Sequence, residues 1–247
     1  GHKKYIDGAC VLADNDGEPL LVAAGSDGNV QMWSATSGEH IEPMTEHFDS
    51  VNAVRALPSD GGTMIASAGD DVTIRLWRPL DRKVREGLTG HTDWVTALAV
   101  TVRDGRSALA SADKEGTVRL WDSDGAALWS EHGHSDAVNA LCAVGSLIAS
   151  AGADGFIRLW EPVDGRPRAA LVGHIGAVNG ICAVPSGGRE FLASVGADRT
   201  VRLWDPETGR MLQVIPVHHP ALSCHFVGDR LVVGLSQGLL ALAIAGQ

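Results

Sequence analysis

A strand-like segment that ends in tryptophan recurs five times along this chain, at a nearly constant interval. The five segments are Gly28–Trp33, Val72–Trp77, Gly116–Trp121, Gly155–Trp160 and Arg199–Trp204. Successive tryptophans are separated by 44, 44, 39 and 44 positions. A fixed period near 40 residues indicates that one supersecondary unit is stacked several times. The period therefore determines the architecture, and an unusual residue is first to be explained as part of a repeat.

A histidine opens each repeat, and six such histidines divide the whole chain. The openers are His2, His47, His91, His134, His174 and His218. The corresponding repeats are approximately 1–45, 46–89, 90–132, 133–172, 173–216 and 217–247. Each contains short alternating apolar stretches separated by Gly, Asp and Pro turns, which predicts an antiparallel meander of four strands. No window shows a sustained helical period, so we expect an all-β fold.

Composition narrows the function classes. The repeats fill the 247 residues, so we expect a single domain over 1–247. No segment approaches the roughly 18 consecutive apolar residues of a membrane span. The net charge is −10, and only four of the twenty basic residues are lysine. Nucleic acids are bound mainly through Lys and Arg contacts to phosphates, so we predict that the chain does not bind nucleic acid. Because no apolar segment is long enough to span a bilayer, we also predict no membrane partner.

Three of the four cysteines share one repeat position. Cys10, Cys142 and Cys182 each follow their opening histidine by eight residues, inside an apolar run. This favours small, buried, strand-filling residues over a disulfide or a zinc site, since no C-x-x-C pair occurs. Free cysteines indicate a reducing compartment, so we predict a cytoplasmic protein. The scarcity of Lys beside abundant Ala, Gly and Arg favours a bacterial source.

Two motifs are typical of reactive or metal-binding sites, but their contexts argue against that role. Gly234-Leu-Ser236-Gln-Gly238 fits the nucleophile pattern G-x-S-x-G, yet no histidine follows it. The acidic turn Asp14–Glu18 lacks the spaced ligands of a calcium loop. Six of the ten histidines open repeats, and the others show no metal-ligand spacing. We therefore predict no catalytic residues, no cofactor and no metal.

With its Gly-His openings, Asp-containing turns and Trp-Asp endings at Trp121-Asp122 and Trp204-Asp205, the chain resembles the WD40 repeat family. The resemblance covers essentially the whole chain, because several elements recur together at matching spacing. It implies a β-propeller, in which four-stranded blades surround a central channel.

The resemblance also implies a hydrogen-bonded tetrad in each blade, which joins the opening His, a strand Ser or Thr, a turn Asp and the Trp. Repeats 2, 4 and 5 carry all four residues, namely His47, Ser67, Asp71 and Trp77; His134, Ser150, Asp154 and Trp160; and His174, Ser194, Asp198 and Trp204. A tetrad satisfies a buried indole and imidazole without water, and an unpaired buried polar group costs about 1–3 kcal/mol. We therefore expect these three blades to be the stiffest.

Three repeats depart from the tetrad. Repeat 3 has Glu115 in place of Asp, and repeat 1 has Ala23 in place of Ser. In repeat 6 only the opener is kept, and the four places hold His218, Val233, Gln237 and Ala243. We expect blade 6 to be the loosest.

Two further sets of polar residues recur at fixed repeat positions. The third strands carry Arg75, Arg119, Arg158 and Arg202. We expect their aliphatic stems to cover apolar surface outside the sheets, with anion binding as the alternative. The innermost strands carry Asp7, Asn52, Thr96, Asn139, Asn179 and Ser223. We expect these to hold ordered water near the channel, with ligand binding as the alternative.

The sixth repeat lacks a fourth strand. Two arrangements are open, a six-bladed ring with an incomplete last blade or part of a seven-bladed propeller, which is the commonest number in the family. We expect the second, a fragment of a longer chain. An unpaired edge strand invites pairing with another chain, so self-association through the last blade is feasible.

The residues just after the opening histidines, and the residue just before the turn Asp position, suggest where a partner binds. In the family that the chain resembles, these positions lie on the rim where partners dock. In repeats 1 to 3 they hold aromatic and charged residues, which are typical of binding hot spots. This rim set is Lys3, Tyr5, Phe48, Asp70, Trp94 and Lys114. The alternative is that Phe48 and Trp94 simply pack on adjacent loops.

Together these features predict a non-catalytic scaffold that presents loop and rim residues to a protein or peptide partner. The alternative is a regulatory or sensor propeller domain of a larger bacterial enzyme, kinase-like or NTPase-like. An enzyme in its own right is disfavoured, because no convergent nucleophile, base or metal set occurs.

Overall fold

A computed structural model describes residues 1–13, 17–79 and 84–243, without the side chains of residues 42 and 84–86. The acidic turn Asp14–Glu18 therefore lies mostly outside the described residues. Within these ranges every regular element is a β-strand, and the strands form six antiparallel sheets. Within each sheet, strands adjacent in sequence pair with each other. The predicted all-β propeller of six repeats with an incomplete last blade is confirmed.

Blades 1 to 3 each contain four strands. Blade 1 comprises β1 (Ile6–Ala13), β2 (Pro19–Gly25), β3 (Val30–Ser34) and β4 (His40–Met44). Blade 2 comprises β5 (Val51–Leu57), β6 (Met64–Gly69), β7 (Ile74–Trp77) and β8 (Val84–Leu88). Blade 3 comprises β9 (Val95–Arg103), β10 (Arg106–Asp113), β11 (Thr117–Asp122) and β12 (Ala127–His132).

Blades 4 and 5 also contain four strands, whereas blade 6 contains three. Blade 4 comprises β13 (Val138–Val144), β14 (Leu147–Gly152), β15 (Ile157–Trp160) and β16 (Pro167–Leu171). Blade 5 comprises β17 (Val178–Ser186), β18 (Arg189–Gly196), β19 (Thr200–Asp205) and β20 (Arg210–Pro216). Blade 6 comprises β21 (Ala221–Val227), β22 (Arg230–Leu235) and β23 (Leu239–Ala243).

The chain divides into two compact units. The first spans residues 1–114 and 119–130 and holds blades 1, 2 and most of blade 3. The second spans residues 115–118 and 131–247 and holds blades 4 to 6.

The second strand of a blade is built from small residues because both of its faces are covered. β6 reads Met-Ile-Ala-Ser-Ala-Gly and β14 reads Leu-Ile-Ala-Ser-Ala-Gly, and all of their residues are buried. Short side chains let the neighbouring sheets approach closely while the core stays well packed.

Apolar cores lie between successive blades within each unit. In the first unit, Met32 of blade 1 packs in one cluster with Val54 and Trp77 of blade 2. In the second unit, Leu159 of blade 4 shares a cluster with Trp204 of blade 5. The indole of a blade therefore belongs to the core that this blade shares with the preceding one, which explains why a large apolar ring recurs at this position.

The turn between the second and third strands requires a left-handed residue at one fixed place. The backbone angle φ there is 79° at Gly28, 57° at Val72, 89° at Gly116, 83° at Gly155, 60° at Arg199 and 89° at Gly238. Glycine adopts this conformation readily, whereas a β-branched valine is strained in it. The Asp-Gly turns of the sequence follow from this requirement.

Candidate functional site

The tetrad of blade 2 is a chain of hydrogen bonds that begins at the indole. Trp77 Nε1 donates to Ser67 Oγ at 2.7 Å, and Ser67 Oγ lies 2.7 Å from His47 Nε2. His47 Nδ1 lies 2.9 Å from Asp71 Oδ2. The carboxylate of Asp71 also accepts the backbone N–H of Phe48 at 3.2 Å. The tetrad therefore fixes the loop that carries Phe48, a member of the rim set.

Blades 4 and 5 repeat this arrangement. In blade 4 the distances Trp160–Ser150, Ser150–His134 and His134–Asp154 are 2.8, 2.7 and 3.0 Å. In blade 5 the distances Trp204–Ser194, Ser194–His174 and His174–Asp198 are 2.8, 2.8 and 3.0 Å. The turn carboxylate again anchors the opening loop, because it accepts the backbone N–H of Ser135 or Ile175 at 3.1 Å.

The ionisation states in these tetrads follow from burial and hydrogen bonding. Burial lowers the pKa of His134 and His174, although the neighbouring Asp154 and Asp198 act in the opposite direction. Burial alone would raise the pKa of the two carboxyls, but the hydrogen bonds that they accept leave each pKa below its ordinary value. At neutral pH the imidazole is therefore neutral and the carboxylate ionised. Nδ1–H then donates to the carboxylate and Nε2 accepts from the serine hydroxyl.

Blade 3 completes its tetrad with Asp113, which the repeat pattern of the sequence did not indicate. Asp113 Oδ2 lies 2.6 Å from His91 Nδ1, and the exposed Glu115 does not take this place. Ser111 Oγ lies 2.6 Å from His91 Nε2 and accepts from Trp121 Nε1 at 2.8 Å. The assignment of Glu115 to the carboxylate place of this tetrad is therefore corrected to Asp113.

The place of Asp113 is occupied by glycine in blades 4 and 5. A Cβ added to Gly196 would lie 2.9 Å from His174 Nδ1, and one added to Gly152 would clash with His134 and Asp154. The turn carboxylate fills this space in those blades. In blade 3 the carboxylate instead arrives from the glycine position, two residues earlier in the chain.

Blade 1 keeps only part of the tetrad. His2 Nδ1 lies 2.8 Å from Asp27 Oδ1, while Nε2 faces the carbonyl oxygen of Ala23 at 3.2 Å. Trp33 therefore has no tetrad hydroxyl to donate to. Burial acts to raise the pKa of Asp27, but hydrogen bonds from the Lys3 N–H and from His2 lower that pKa to about 2.

Blade 6 replaces the tetrad with apolar side chains, at positions that differ from those predicted. Ala221 pairs with Leu235 as Val178 pairs with Gly196, so the residue four before Ala221 corresponds to the opening histidine. That residue is Val217, and His218 is exposed. The assignment of His218 as the opener is corrected.

The third strand of blade 6 is also displaced by one residue. Val233 pairs with Leu240, seven residues later, whereas Ser194 pairs with Arg202, eight residues later. Leu242 therefore takes the tryptophan place that was assigned to Ala243. Val217, Val233 and Leu242 belong to one apolar cluster.

Three of the recurring arginines, Arg75, Arg158 and Arg202, are ion-paired with the turn carboxylates of their blades. Arg158 Nη1 lies 2.9 Å from Asp154 Oδ2, and Arg202 Nη2 lies 3.3 Å from Asp198 Oδ2. This ion pairing was not among the expectations for the arginines. The spacing of four residues between Asp and Arg recurs in the sequence and could have indicated the pairing.

Three of the polar residues of the innermost strands, all asparagines, sit at β-bulges and reach the next blade. Asn139 Nδ2 donates to the carbonyl oxygen of Val178 at 3.0 Å, and Asn179 Nδ2 donates to that of Ala221 at 2.8 Å. In the first unit Asn52 does the same to Val95 at 3.0 Å. These asparagines therefore hold neighbouring blades together directly, a role that was not among the expectations.

The rim set lies in the first unit, and its aromatic members are exposed. Tyr5, Phe48 and Trp94 are 82%, 91% and 42% exposed. Lys114 Nζ stacks on the Trp94 ring at 3.6 Å from its centroid. The backbone also joins these two residues, because Lys114 N–H donates to the Trp94 carbonyl oxygen at 3.1 Å. Trp94 and Lys114 thus form one cation–π pair at the surface.

The other rim residues are fixed by neighbouring polar groups. Asp70 accepts a hydrogen bond from Asn52 Nδ2 at 2.7 Å, and the Lys3 N–H donates to Asp27 at 2.9 Å. One exposed apolar residue of the second unit lies at a rim position. Ile175, at the place of Phe48 in blade 5, is 82% exposed.

Family comparison agrees with this geometry. The family described as WD domain, G-beta repeat (WD40) matches residues 38–78, 82–122, 125–161 and 165–205, more than half of the chain. The chain belongs to the WD40 family. Each matched WD40 segment runs from the outer strand of one blade to the third strand of the next. Blade 6 and the first three strands of blade 1, which carry incomplete tetrads, lie outside the matched segments.

Solved structures similar to this WD40 chain include the crystal structure of the computationally designed Ika8 protein. The two chains are 25% identical, with a TM-score of 0.76 over 99% of this chain and 72% of that one. No curated protein sequence matches the chain.

Two further findings concern metal binding and membrane-spanning helices. In the ranges 1–13, 17–79 and 84–243, no three His, Cys, Asp or Glu side chains are grouped so that they could hold a metal ion. The same part of the chain contains no helix long and apolar enough to cross a membrane.

Proposed function

We propose that this chain is a non-enzymatic scaffold that binds a protein or peptide partner through the rim set. WD40 propellers generally mediate protein–protein interactions and are generally non-catalytic. The observation that supports the rim as the binding surface is the exposure of Phe48 and Tyr5, at 91% and 82%. Large exposed aromatic side chains are the usual anchors of protein interfaces.

The rim loops are held in place before any partner arrives. Asp71, itself bound to His47, accepts the N–H of Phe48 at 3.2 Å. The carbonyl oxygen of Tyr5 accepts the N–H of Ser26 at 3.0 Å. A side chain on a pre-organised loop loses less conformational entropy on binding, which favours affinity. This supports a rigid docking surface.

Charged groups around the aromatic residues favour a protein partner over nucleic acid. Asp49 and Asp70 accompany Phe48, and Asp93 precedes Trp94. The net charge of the whole chain is −10. A phosphate backbone would be repelled by this surface, whereas mixed charge around aromatic anchors suits a protein or peptide.

The proposal is tested by replacing the aromatic anchors. A triple variant, Tyr5→Ala with Phe48→Ala and Trp94→Ala, is compared with the unchanged chain in affinity capture from the native host, with quantitative mass spectrometry. Proteins that the unchanged chain retains should be lost, while the melting temperature changes little because the three side chains are exposed. A matched control variant, Val102→Ala with Val172→Ala, removes exposed apolar groups elsewhere in the first and second units.

Capture that is equal for the triple variant and the unchanged chain would contradict the proposal. A large fall in melting temperature would instead show that the aromatic residues stabilise the fold. Loss of the same proteins in the control variant would mean that general surface hydrophobicity, not the rim set, retains them.

A further inference from the structure

The fourth cysteine of the chain, Cys224, does not share the repeat position of the other three. It pairs with Val233 as Ile181 pairs with Ser194 in blade 5, so it holds the place of Ile181, one residue before that of Cys182. Successive residues of a strand point to opposite faces of the sheet. Ile181 packs in the cluster that blades 4 and 5 share, whereas Cys182 packs in the cluster that blades 5 and 6 share. Cys224 therefore points back to blade 5, and Cys182 points forward to blade 6.

The two thiols meet in the interface between these blades. Cys182 and Cys224 belong to one apolar cluster. The Cys224 sulfur lies 3.9 Å from the carbonyl oxygen of Ala193, the residue that pairs with Cys182 in the sheet of blade 5. Hydrogen bonding with the Cys182 thiol, together with burial, raises the pKa of Cys224 well above its ordinary value. The two sulfur atoms are therefore neighbours across the interface.

The other two cysteines have aliphatic neighbours at the place of Cys224. Cys142 shares its cluster with Ile181 of blade 5, and Cys10 shares its cluster with Val54 of blade 2. Neither of these clusters holds a second cysteine. Of the interfaces that these cysteines line, the one between blades 5 and 6 is thus where two thiols face each other.

We infer that Cys182 and Cys224 form a reversible redox modification site, which hydrogen peroxide converts into a disulfide between blades 5 and 6. Peroxide oxidises one thiol to a sulfenic acid, and its O–O bond breaks with the release of one water molecule. The second thiol then attacks this sulfur, so that the S–S bond forms and the S–O bond breaks. The proton of the second thiol leaves with the hydroxyl group as a second water. The two thiols lose two electrons in all, and the peroxide gains them.

Burial and protonation set the rate of this reaction. Cys224 is half-buried and Cys182 is 6% exposed, which favours an oxidant as small as hydrogen peroxide over a large disulfide. The raised pKa keeps Cys224 protonated at neutral pH, and a protonated thiol is a weak nucleophile. We therefore expect the pair to respond to sustained peroxide and not to a brief pulse.

A metal ion suits the pair less well than a disulfide. Soft ions such as copper(I) bind thiolates, so both cysteines would have to lose their protons. The charged complex would then lie among apolar side chains, which include Val195 and Leu231. Burying a charge in such surroundings is costly, whereas a disulfide is neutral.

Oxidation would fasten the blade that lacks a tetrad. Blade 6 is joined to blade 5 by the apolar cluster and by the hydrogen bond from Asn179 to the carbonyl oxygen of Ala221. A disulfide adds a covalent link and restricts the unfolded chain, which stabilises the folded state. The site lies in the second unit, so it is independent of the proposed rim function in the first unit.

The test begins with the whole, unchanged chain. It is incubated with hydrogen peroxide, its remaining thiols are blocked with N-ethylmaleimide, and a tryptic digest is analysed by mass spectrometry without reduction. Trypsin separates the two cysteines, because Arg189 and Arg210 lie between them. We expect a cross-linked pair of the Cys182 and Cys224 peptides, at least about tenfold more abundant than any other cysteine pair, because a disulfide needs close and aligned sulfur atoms. Dithiothreitol should remove it.

A second measurement follows the effect on blade 6. Amides of β21, the strand that carries Cys224, should exchange about tenfold more slowly in the oxidised chain, since the cross-link hinders opening of the interface. The original rate should return on reduction.

Two variants locate the reaction. In Cys224→Ala the second thiol is missing, so a sulfenic acid formed at Cys182 should persist and be trapped by dimedone, several-fold more than in the unchanged chain. Cys142→Ala is the matched control, because it removes a thiol at the place in blade 4 that Cys182 holds in blade 5. It should give the same yield of cross-linked peptides and the same slowing of exchange. The cross-link itself is measured on the unchanged chain, so the inference stays testable even where a variant fails to fold.

Several outcomes would overturn the inference. The first is the absence of the Cys182–Cys224 pair in a sample where the exposed Met211 has become a sulfoxide, which shows that the peroxide was active. Others are oxidation of Cys182 to a sulfinic acid without a cross-link, or a main product that joins two copies of the chain. Unchanged exchange of β21 in the cross-linked chain would contradict the fastening of blade 6.

Discussion

His91 and Asp113 lie 2.6 Å apart, and both side chains are almost wholly buried. In blades 4 and 5 the carboxylate that meets the imidazole comes from the turn, and glycine stands where blade 3 has Asp113. The hydrogen-bonded pair is therefore conserved in space although its carboxylate has moved along the chain. Blades 4 and 5 have glycine beside the imidazole and the aspartate two residues later. Blade 3 has the aspartate at the glycine position and an exposed glutamate two residues later. Both arrangements put one carboxylate against the imidazole.

Asp113→Gly should lower the free energy of unfolding by about 1–3 kcal/mol, because His91 loses its buried partner. Adding Glu115→Asp to that variant restores the order found in blades 4 and 5, and it should recover most of the loss. Urea unfolding followed by tryptophan fluorescence measures both. Glu115→Asp alone is the control and should change stability by less than about 0.5 kcal/mol. A double variant no more stable than the single one would show that the two positions are not interchangeable.

Acid should destabilise the chain in two stages. The folded-state pKa of His134 and of His174 lies below the ordinary 6.5, so the unfolded chain binds protons more readily as the pH falls through 6.5. The pKa of Asp154 and of Asp198 lies below the ordinary 3.8, and their stabilisation is present above pH 3.8 and is lost below it. Both changes have the same sign.

The measurement is the free energy of unfolding in urea at pH 7, 5.5, 4 and 3. His134→Gln removes one of the two imidazoles whose pKa is lowered by burial, so its stability should fall less between pH 7 and 5.5 than that of the unchanged chain. His218→Gln, at an exposed loop position, should keep the unchanged slope. Stability that rises on acidification would contradict the assigned neutral imidazoles.

Val72→Gly should stabilise the chain. Val72 has φ of 57° in a turn where four of the six blades have glycine. Relief of this strain outweighs the added entropy of glycine in the unfolded chain, for a net gain of about 1 kcal/mol. The reciprocal change Gly155→Val, at the same place in blade 4, should destabilise. Thermal unfolding by circular dichroism checks the pair, and a loss of stability in Val72→Gly would mean that Val72 is held by favourable packing.

Replacing Asn179 by aspartate should lower the free energy of unfolding more than replacing it by alanine. Its amide donates to the Ala221 carbonyl oxygen of the next blade at 2.8 Å. Asn179→Ala loses one inter-blade hydrogen bond, at a cost of about 1 kcal/mol. Asn179→Asp places a carboxylate oxygen against that carbonyl oxygen and should cost more, as measured by urea unfolding at pH 7. Ser223→Ala, an exposed neighbour on β21, is the control.

The repeat period and the compact motifs made much of this structure predictable. Ser67, Asp71 and Trp77 stand at spacings that recur in two other repeats, and the spacing of His47 to Ser67 recurs in one of them, so their joining follows from the pattern. Asp113 was missed because alignment by residue type assumes that a role stays at one position. In the folded blade, however, the space beside the imidazole can be reached from either of two positions two residues apart, when glycine leaves that space free at the other.

Blade 6 was misread for a related reason. Alignment on His218 assumed that a polar opener must be kept, whereas Val217, Val233 and Leu242 fill the corresponding space with apolar groups. Exchanging all members of a polar set together leaves no buried donor or acceptor unpaired. The one-residue shifts at both ends of the blade have no signal in residue type, because apolar side chains replace the tetrad that marks the register in the other blades.

Amide hydrogen exchange should therefore differ between the strands of blade 6, instead of being uniformly fast. Leu231 and Val233 of β22 are fully buried, so their amides should be well protected. Those of β23 lie at an edge that is unpaired within the described residues, and should exchange at least about tenfold faster than those of β19 in blade 5. Exchange detected by mass spectrometry on peptides from β19, β22 and β23 compares the three strands in one sample. Protection of β23 equal to that of β19 would show that its edge is already covered, and fast exchange in β22 would show that apolar packing does not replace the tetrad.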